Sequence, residues 1–234
     1  EGTHDYGKSA KKLMVDTISD QFVLASEEAE PHHSYSISLK ARSSILTAGQ
    51  SGKAIWFDYD QGILTSSKAY FESLPDWLQD FNSKNRVRTG DQFTWKSLSD
   101  SNDKKYNYRE AKNYKHSALK SSIVNQTFKV GENVDRPFEI YERTPFGHKL
   151  LFDAAQICLE KHLKSEENCR ILLWISLSSF DLSSHYFGPD SFEQLDMVYH
   201  LDEQLKNFLN LVKTLVSEEE TLLVLTADHG VMQI

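Results

Sequence analysis

"RILLWISLSSFDLSSHYFG", residues 170–188, is the stretch whose reading decides the fold. Its first half is an apolar run of strand length. Its second half turns polar at once and brings Asp181 and then, four residues on, His185 into a stretch that reads as a loop. In open α/β sheets, ligands bind at the carboxyl ends of strands. The reading therefore turns on whether other strand ends supply partners for this Asp and His.

Working outward, the segments on either side are regular. "TPFGHKLLFDAAQICLEKHL" (144–163) places Leu150, Leu151, Ala154, Ala155, Cys158, Leu159 and Leu163 on one helical face. After the loop, "SFEQLDMVYHLDEQLKNFLNLVKTLV" (191–216) reads as a long helix, and "TLLVLTA" (221–227) as a second buried strand followed by Asp228, His229 and Gly230. Helix, strand, helix, strand predicts an α/β fold with a mainly parallel sheet sandwiched by helices. A right-handed crossover would point both strands the same way, so Asp181, His185, Asp228 and His229 would share one sheet edge.

Nearer the start, "SAKKLMVDTISDQFVLASEEAE" (9–30) predicts a helix with Met14, Ile18, Phe22 and Ala25 in register. The strand "SYSISL" (34–39) then runs into Lys40 and Arg42. Between residues 49 and 145 the text is mixed, with "AIWFDYD" (54–60), "GILTSS" (62–67), a Pro-started helix "PDWLQDFN" (75–82) and the polar "SLSDSNDKKYNYREAKNYK" (97–115). This predicts residues 1–54 and 140–234 as parts of one α/β core and 55–139 as an inserted mixed α+β cap. Trp56, Phe57, Tyr59, Tyr70, Phe71 and Trp77 either pack that cap or wall a leaving-group site, with packing favoured.

The chain has 234 residues, 26 basic against 34 acidic side chains and a net charge of −8. That balance argues against a nucleic-acid polymer as partner. An apolar content of 39% suits a globular protein, and no run is long enough to span a bilayer. The opening "EGTHDYGKSA" reads as no signal peptide. Cys158 and Cys169 make no metal motif; they are two ordinary thiols or one bridge.

Carboxylate and imidazole donors together suit zinc, with manganese or iron as weaker options. Two metals about 4 Å apart would stabilise the attacking and leaving oxygens of phosphoryl transfer. Lys40 and Arg42 supply the complementary charge, since a guanidinium grips two phosphate oxygens at once. His4, His32, His33, His116, His162 and His200 read as surface or helix-face residues, and His148, beside Gly147, as the better pocket candidate.

These stretches resemble a known family. "SSFDLSSHYFGPDS" (178–191) resembles the "SSTDxxGHxFGPxS" motif of the alkaline phosphatase superfamily, in its type I phosphodiesterase/nucleotide pyrophosphatase group. "LTADHGV" is similar to that group's "TADHG" signature. "SLKARSSILTAGQSGKAIWFD" (38–58), "LTSSKAYFESLPDWLQDFN" (64–82) and "ERTPFGHKLLFDAA" (142–155) resemble stretches of the PafA-like periplasmic alkaline phosphatases. The resemblance implies two zinc ions, one on Asp181 and His185 and one on Asp228 and His229. It implies Lys40 and Arg42 on the non-bridging phosphoryl oxygens, and a small phosphate monoester as substrate. The expected location is the periplasm or the cell exterior; oligomeric state is left open.

The departures are Ala41 between Lys and Arg, Phe180 before the motif Asp, Ser184 before the motif His, and His148 for the family Asn. The family's Thr or Ser nucleophile and its remaining metal ligands have no match in these residues. The chain is therefore expected to be an internal piece, inactive by itself. Two other readings stay open: a phosphodiesterase or nucleotide pyrophosphatase, and a non-catalytic binding domain.

Overall fold

The computed structural model of the chain describes residues 7–98, 122–165 and 168–230. Most of the polar stretch 97–115, and His4 and His116, fall outside them. The elements are α1 (Ile18–Leu24), β1 (His32–Ser38), α2 (Ala41–Ala48), β2 (Lys53–Asp58), β3 (Ile63–Thr65), α3 (Asp76–Asn85), β4 (Gln92–Thr94), β5 (Thr127–Lys129), α4 (Glu139–Glu142), α5 (Pro145–Ser165), β6 (Arg170–Ser176), α6 (Ser178–Phe187) and α7 (Phe192–Leu215). They fall into two compact units, Glu1–Val87 with Leu150–Leu177, and Arg88–Lys149 with Ser178–Ile234.

The first unit holds a four-stranded sheet in the order β3-β2-β1-β6. β1 runs parallel to both β2 and β6, and only the edge strand β3 is antiparallel. The fold is thus α/β with a mainly parallel sheet. Residues 55–58 and 63–65, read from sequence as part of the insertion, are strands of this sheet, with β2 directly against β1.

Alternation along β1 explains how helices cover both faces. Tyr35 points to one face, where its ring meets Trp77 of α3 at 6.4 Å and His162 of α5 at 5.0 Å. Ser34 and Ser36 point to the other. Ser34 Oγ donates to Ser19 Oγ of α1 at 2.8 Å, and Ser36 Oγ shares a hydrogen bond with Thr47 Oγ1 of α2 at 2.6 Å. Trp174 of β6, level with Ser36, donates its indole N–H to the same Ser19 Oγ at 2.9 Å. Below α2, Ser44 Oγ donates to Ser36 C=O and accepts from Ile55 N–H, so one hydroxyl bridges β1 and β2. Small hydroxyl side chains let the helices approach closely while these buried hydroxyls are matched.

The N-terminal helix is shorter than its apolar spacing predicts, and it faces the other way. Met14 and Ile18 are 91% and 67% exposed, whereas Ser19 and Asp20 are buried. Thr17 and Asp20 form a reciprocal capping box that starts α1 at Ile18. Asp20 also accepts from Gln50 and Ser51 N–H at 2.8 and 2.7 Å, tying α1 to the chain leaving α2. Gly49 there has φ +66°, and a Cβ would collide with Asp20 and Thr17. Polar closure outweighs the apolar stripe.

Trp56, Phe57, Tyr70 and Trp77 are buried, and Trp56 and Tyr70 share one cluster with Ile45, Ala48 and Ala54, so the aromatics of this region pack the first unit. Cys158 and Cys169 are not joined by a disulfide, and burial pushes Cys158 far above the ordinary thiol range. No helix among the described residues is long and apolar enough to cross a membrane.

The second unit carries the antiparallel pair β4–β5, α4, α6 and α7, with Trp95, Ile123, Val124, Phe187 and Met197 at its core. Asp196 of α7, fully buried, accepts from Trp95 Nε1 at 2.7 Å, Ser97 Oγ at 2.9 Å and Leu98 N–H at 2.8 Å. The predicted strand 221–227 is absent. Leu222, Leu223, Val224 and Leu225 are 89%, 56%, 72% and 78% exposed in a stretch without strand pairing.

Candidate metal centre

The segment after β6 is a helix, not the loop that the sequence suggests. That change matters for the chemistry, because residues four apart stack on one helical face. Asp181 and His185 do so in α6, with Asp181 Oδ1 3.1 Å from His185 Nε2. Their side chains are 28% and 68% exposed, so the pair opens to solvent.

His229 joins them from the chain beyond α7. Its Nε2 lies 3.8 Å from Asp181 Oδ1 and 3.6 Å from Asp228 Oδ2. Its Nδ1 is 2.8 Å from Gly230 C=O, a contact that places the ring proton on Nδ1 and the lone pair on Nε2. A ligating histidine is held in this way, by a carbonyl on the nitrogen that does not face the metal. Asp228 is 90% exposed and bends back to its neighbour, accepting His229 N–H at 3.1 Å.

Asp181, His185 and His229 are thus gathered, with Asp228 against His229. Their donor types fit zinc. Among the described residues, no group of three or more His, Cys, Asp or Glu has the arrangement of a metal-holding site, so the set is partial.

Several contacts fix α6. Phe180, Tyr186 and Phe187 pack with the core of the second unit. Arg143 lies over the Tyr186 ring at 4.3 Å and pairs with Glu139 at 2.7 Å. Burial raises the Glu139 carboxyl, but hydrogen bonds from Arg143 and Asn133 win and hold it below its usual range. Burial pushes the Tyr186 phenol up. His148, fully buried, accepts Phe180 N–H on Nε2 at 3.1 Å. Sequence reading singled out His148 only as a pocket candidate. The missed signal was its place near the start of α5, one helix before a helix whose immediately preceding residue, Leu177, has no side-chain oxygen.

Lys40 and Arg42 belong to the first unit. Lys40 is the N-cap of α2, where its N–H donates to Ser38 Oγ at 3.0 Å. Arg42 is exposed in the first turn. Two cations at a helix N-terminus add to the positive end of the helix dipole, an arrangement that costs energy unless an anion offsets it.

The sequence profile of type I phosphodiesterase / nucleotide pyrophosphatase matches residues 50–234. The chain is 29% identical over 225 residues to alkaline phosphatase PhoV of Synechococcus elongatus, covering 95% of this chain and 40% of that protein. It is 30% identical over 226 residues to alkaline phosphatase PafA of Elizabethkingia meningoseptica, with 95% and 41% covered. The crystal structure of wild-type PafA superposes with a TM-score of 0.64 at 27% identity, covering 86% of this chain and 39% of that one. The chain thus spans about two-fifths of the length of these relatives. On the profile match over most of its residues, the chain belongs to the type I phosphodiesterase / nucleotide pyrophosphatase family.

Proposed function

We propose that this chain is part of a zinc-dependent phosphatase acting on small phosphate monoesters. The observation that carries the reading is the approach of His185 Nε2 and His229 Nε2 to one oxygen of Asp181, at 3.1 and 3.8 Å. Asp181 and His185 would hold one ion, and Asp228 and His229 the second. Zinc, when bound, supplies Lewis acidity that activates a hydroxyl nucleophile and stabilises the leaving oxygen. No residue of this chain is assigned as that nucleophile, which we take to be a Thr or Ser that becomes phosphorylated and is then hydrolysed.

Lys40 and Arg42 neutralise the non-bridging oxygens of the phosphoryl group, and their two charges suit a dianionic monoester better than a monoanionic diester. Relatives named alkaline phosphatases support the monoester reading. The profile's own description favours a second reading, a phosphodiesterase or nucleotide pyrophosphatase on the same scaffold. Residues 1–54 and 140–234 would serve the catalytic core, with much of 55–139 as an accessory region. By resemblance, the protein works in the periplasm or outside the cell.

The test uses the full-length protein, with an aryl phosphate monoester and the matching diester, with and without a zinc chelator. Chelator-sensitive preference for the monoester is expected. Arg42→Ala should lower monoester kcat/KM by about 100-fold or more and diester turnover far less, since it removes charge that acts in the transition state. Diester preference would favour the second reading. No turnover of either substrate would bring forward a non-catalytic binding domain.

A further inference from the structure

We propose that His148 and Gln194 are positioning residues that together fix the turn of α6 on which Asp181 and His185 sit. The proposal rests on the reading of those two residues as zinc ligands. Phe180 is the third residue of α6, so its N–H is one of the donors that no helical carbonyl can satisfy. A Ser, Thr, Asp or Asn before the helix would ordinarily accept such a bond. Here the preceding residue is Leu177, which has no side-chain oxygen.

His148 takes over that role from a distant part of the chain, with Nε2 accepting Phe180 N–H at 3.1 Å. An accepting ring nitrogen carries a lone pair, so the proton of the neutral ring sits on Nδ1. The other side of the same residue is also gripped: Gln194 Nε2 of α7 donates to Phe180 C=O at 3.2 Å. Gln194 is itself fixed, because its N–H donates to the N-cap Ser191 Oγ at 3.1 Å. His148 and Gln194 are 0% and 4% exposed, so water cannot replace either partner cheaply.

Phe180 is thus held at both backbone polar atoms by side chains from two other helices. Asp181 is the next residue, and His185 follows one turn on. Any rotation of the Phe180 backbone moves the Asp181 carboxylate relative to its partners. Residues that orient metal ligands typically change metal affinity by about 10- to 100-fold when removed.

The experiment uses the full-length protein, with zinc alone titrated against a competing chromogenic chelator, and hydrogen exchange read at the Phe180 amide. His148→Leu and Gln194→Leu should each weaken zinc binding by about 10-fold or more, and His148→Leu should speed Phe180 exchange at least as much. His148→Gln, whose Oε1 can replace the lost acceptor, should stay within about 3-fold of the native affinity. That rescue separates positioning from bulk packing. Should His148→Leu fail to fold, Gln194→Leu and His148→Gln carry the same test.

Asp181→Ala is the control for the underlying reading. If it abolishes zinc binding while the Leu variants bind zinc as tightly as native protein, the clamp is overturned and the metal site stands. If Asp181→Ala leaves zinc affinity unchanged, the metal reading fails and the clamp's role in it falls too.

Discussion

Arg170–Ser176 and Thr221–Ala227 are both short apolar runs of similar length, each followed by residues suited to chemistry. The first is β6, paired along its whole length with β1 from His32↔Arg170 to Ser38↔Ser176. The second has no strand pairing, and its four aliphatic side chains are more than half exposed. β-propensity describes how well a side chain fits a pleated, covered surface rather than a preference of the backbone. β6 has that surface: β1 beside it, and a Trp174 anchor to Ser19. Thr221–Ala227 has no such neighbour among the described residues. A strand is therefore a property of a pair, and among the described residues only the first run has one.

The largest effect should come from the seam that makes β6 a strand. Ile37, opposite Ile175 and fully buried, should lose about 3 kcal/mol on truncation to Ala, because the cavity adds to the lost transfer energy. Val224→Ala in the same 234-residue chain should stay within about 0.5 kcal/mol, as exposed sites do. Urea denaturation of both variants checks the contrast, and equal losses would break it.

Next comes the polar support beneath that seam. Asp20→Ala should cost about 2 kcal/mol, since it strands donors from Thr17, Gln50 and Ser51. Burial raises the Asp20 carboxyl, but the hydrogen bonds from Thr17, Ser51 and Gln50 together lower it below its ordinary value. A lowered folded value means that this stability is fully present above the unfolded pKa of about 4 and fades as pH falls through the lower folded value. Acid titration of native protein and Asp20→Ala should show the two curves converging at low pH. Curves that stay parallel would remove the charge from the explanation.

The smallest effect sharpens the contrast at one atom. Trp174→Phe keeps the ring and removes the indole N–H to Ser19, and it should cost about 1 kcal/mol. Leu225→Ala, 78% exposed, should be silent, and urea denaturation of the two variants checks the contrast.

The sequence made legible whatever depends on local pattern. The long helices α5 and α7 follow from 3.6-residue periodicity, β6 from a short apolar run and β1 from its alternation, whereas β2 and β3 read only as short pieces of the insertion. What stayed hidden depends on partners. "SSFDLSSH" is polar and follows a strand, so it reads as a loop although Ser178 and Asp181 have the spacing of a helix start; the Phe180 N–H near the start of α6 is satisfied from His148. The apolar spacing from Met14 to Ala25 suggests a buried stripe, but the Thr17–Asp20 capping box and the Ser19 hydroxyl turn α1 polar side inward. At the candidate site, the Asp181–His185 spacing was visible. That a helix would stack the two, and that His229 would reach the same carboxylate, required the fold.

The central strand also sets an order of events. β1 precedes both of its partners in the chain, and on one side that partner is β6, contributed by residues 170–176. Its other partner, β2, is close in sequence. On a chain emerging from the ribosome, β2 and α2 can condense on β1 early, while the opposite edge of β1 waits until Ser176 has been made. Closing that long loop carries an entropic cost before any contact rewards it, the condition that slows folding in proteins rich in non-local pairing. During the delay β1 presents an unpaired edge, the kind of edge on which nascent chains associate with one another.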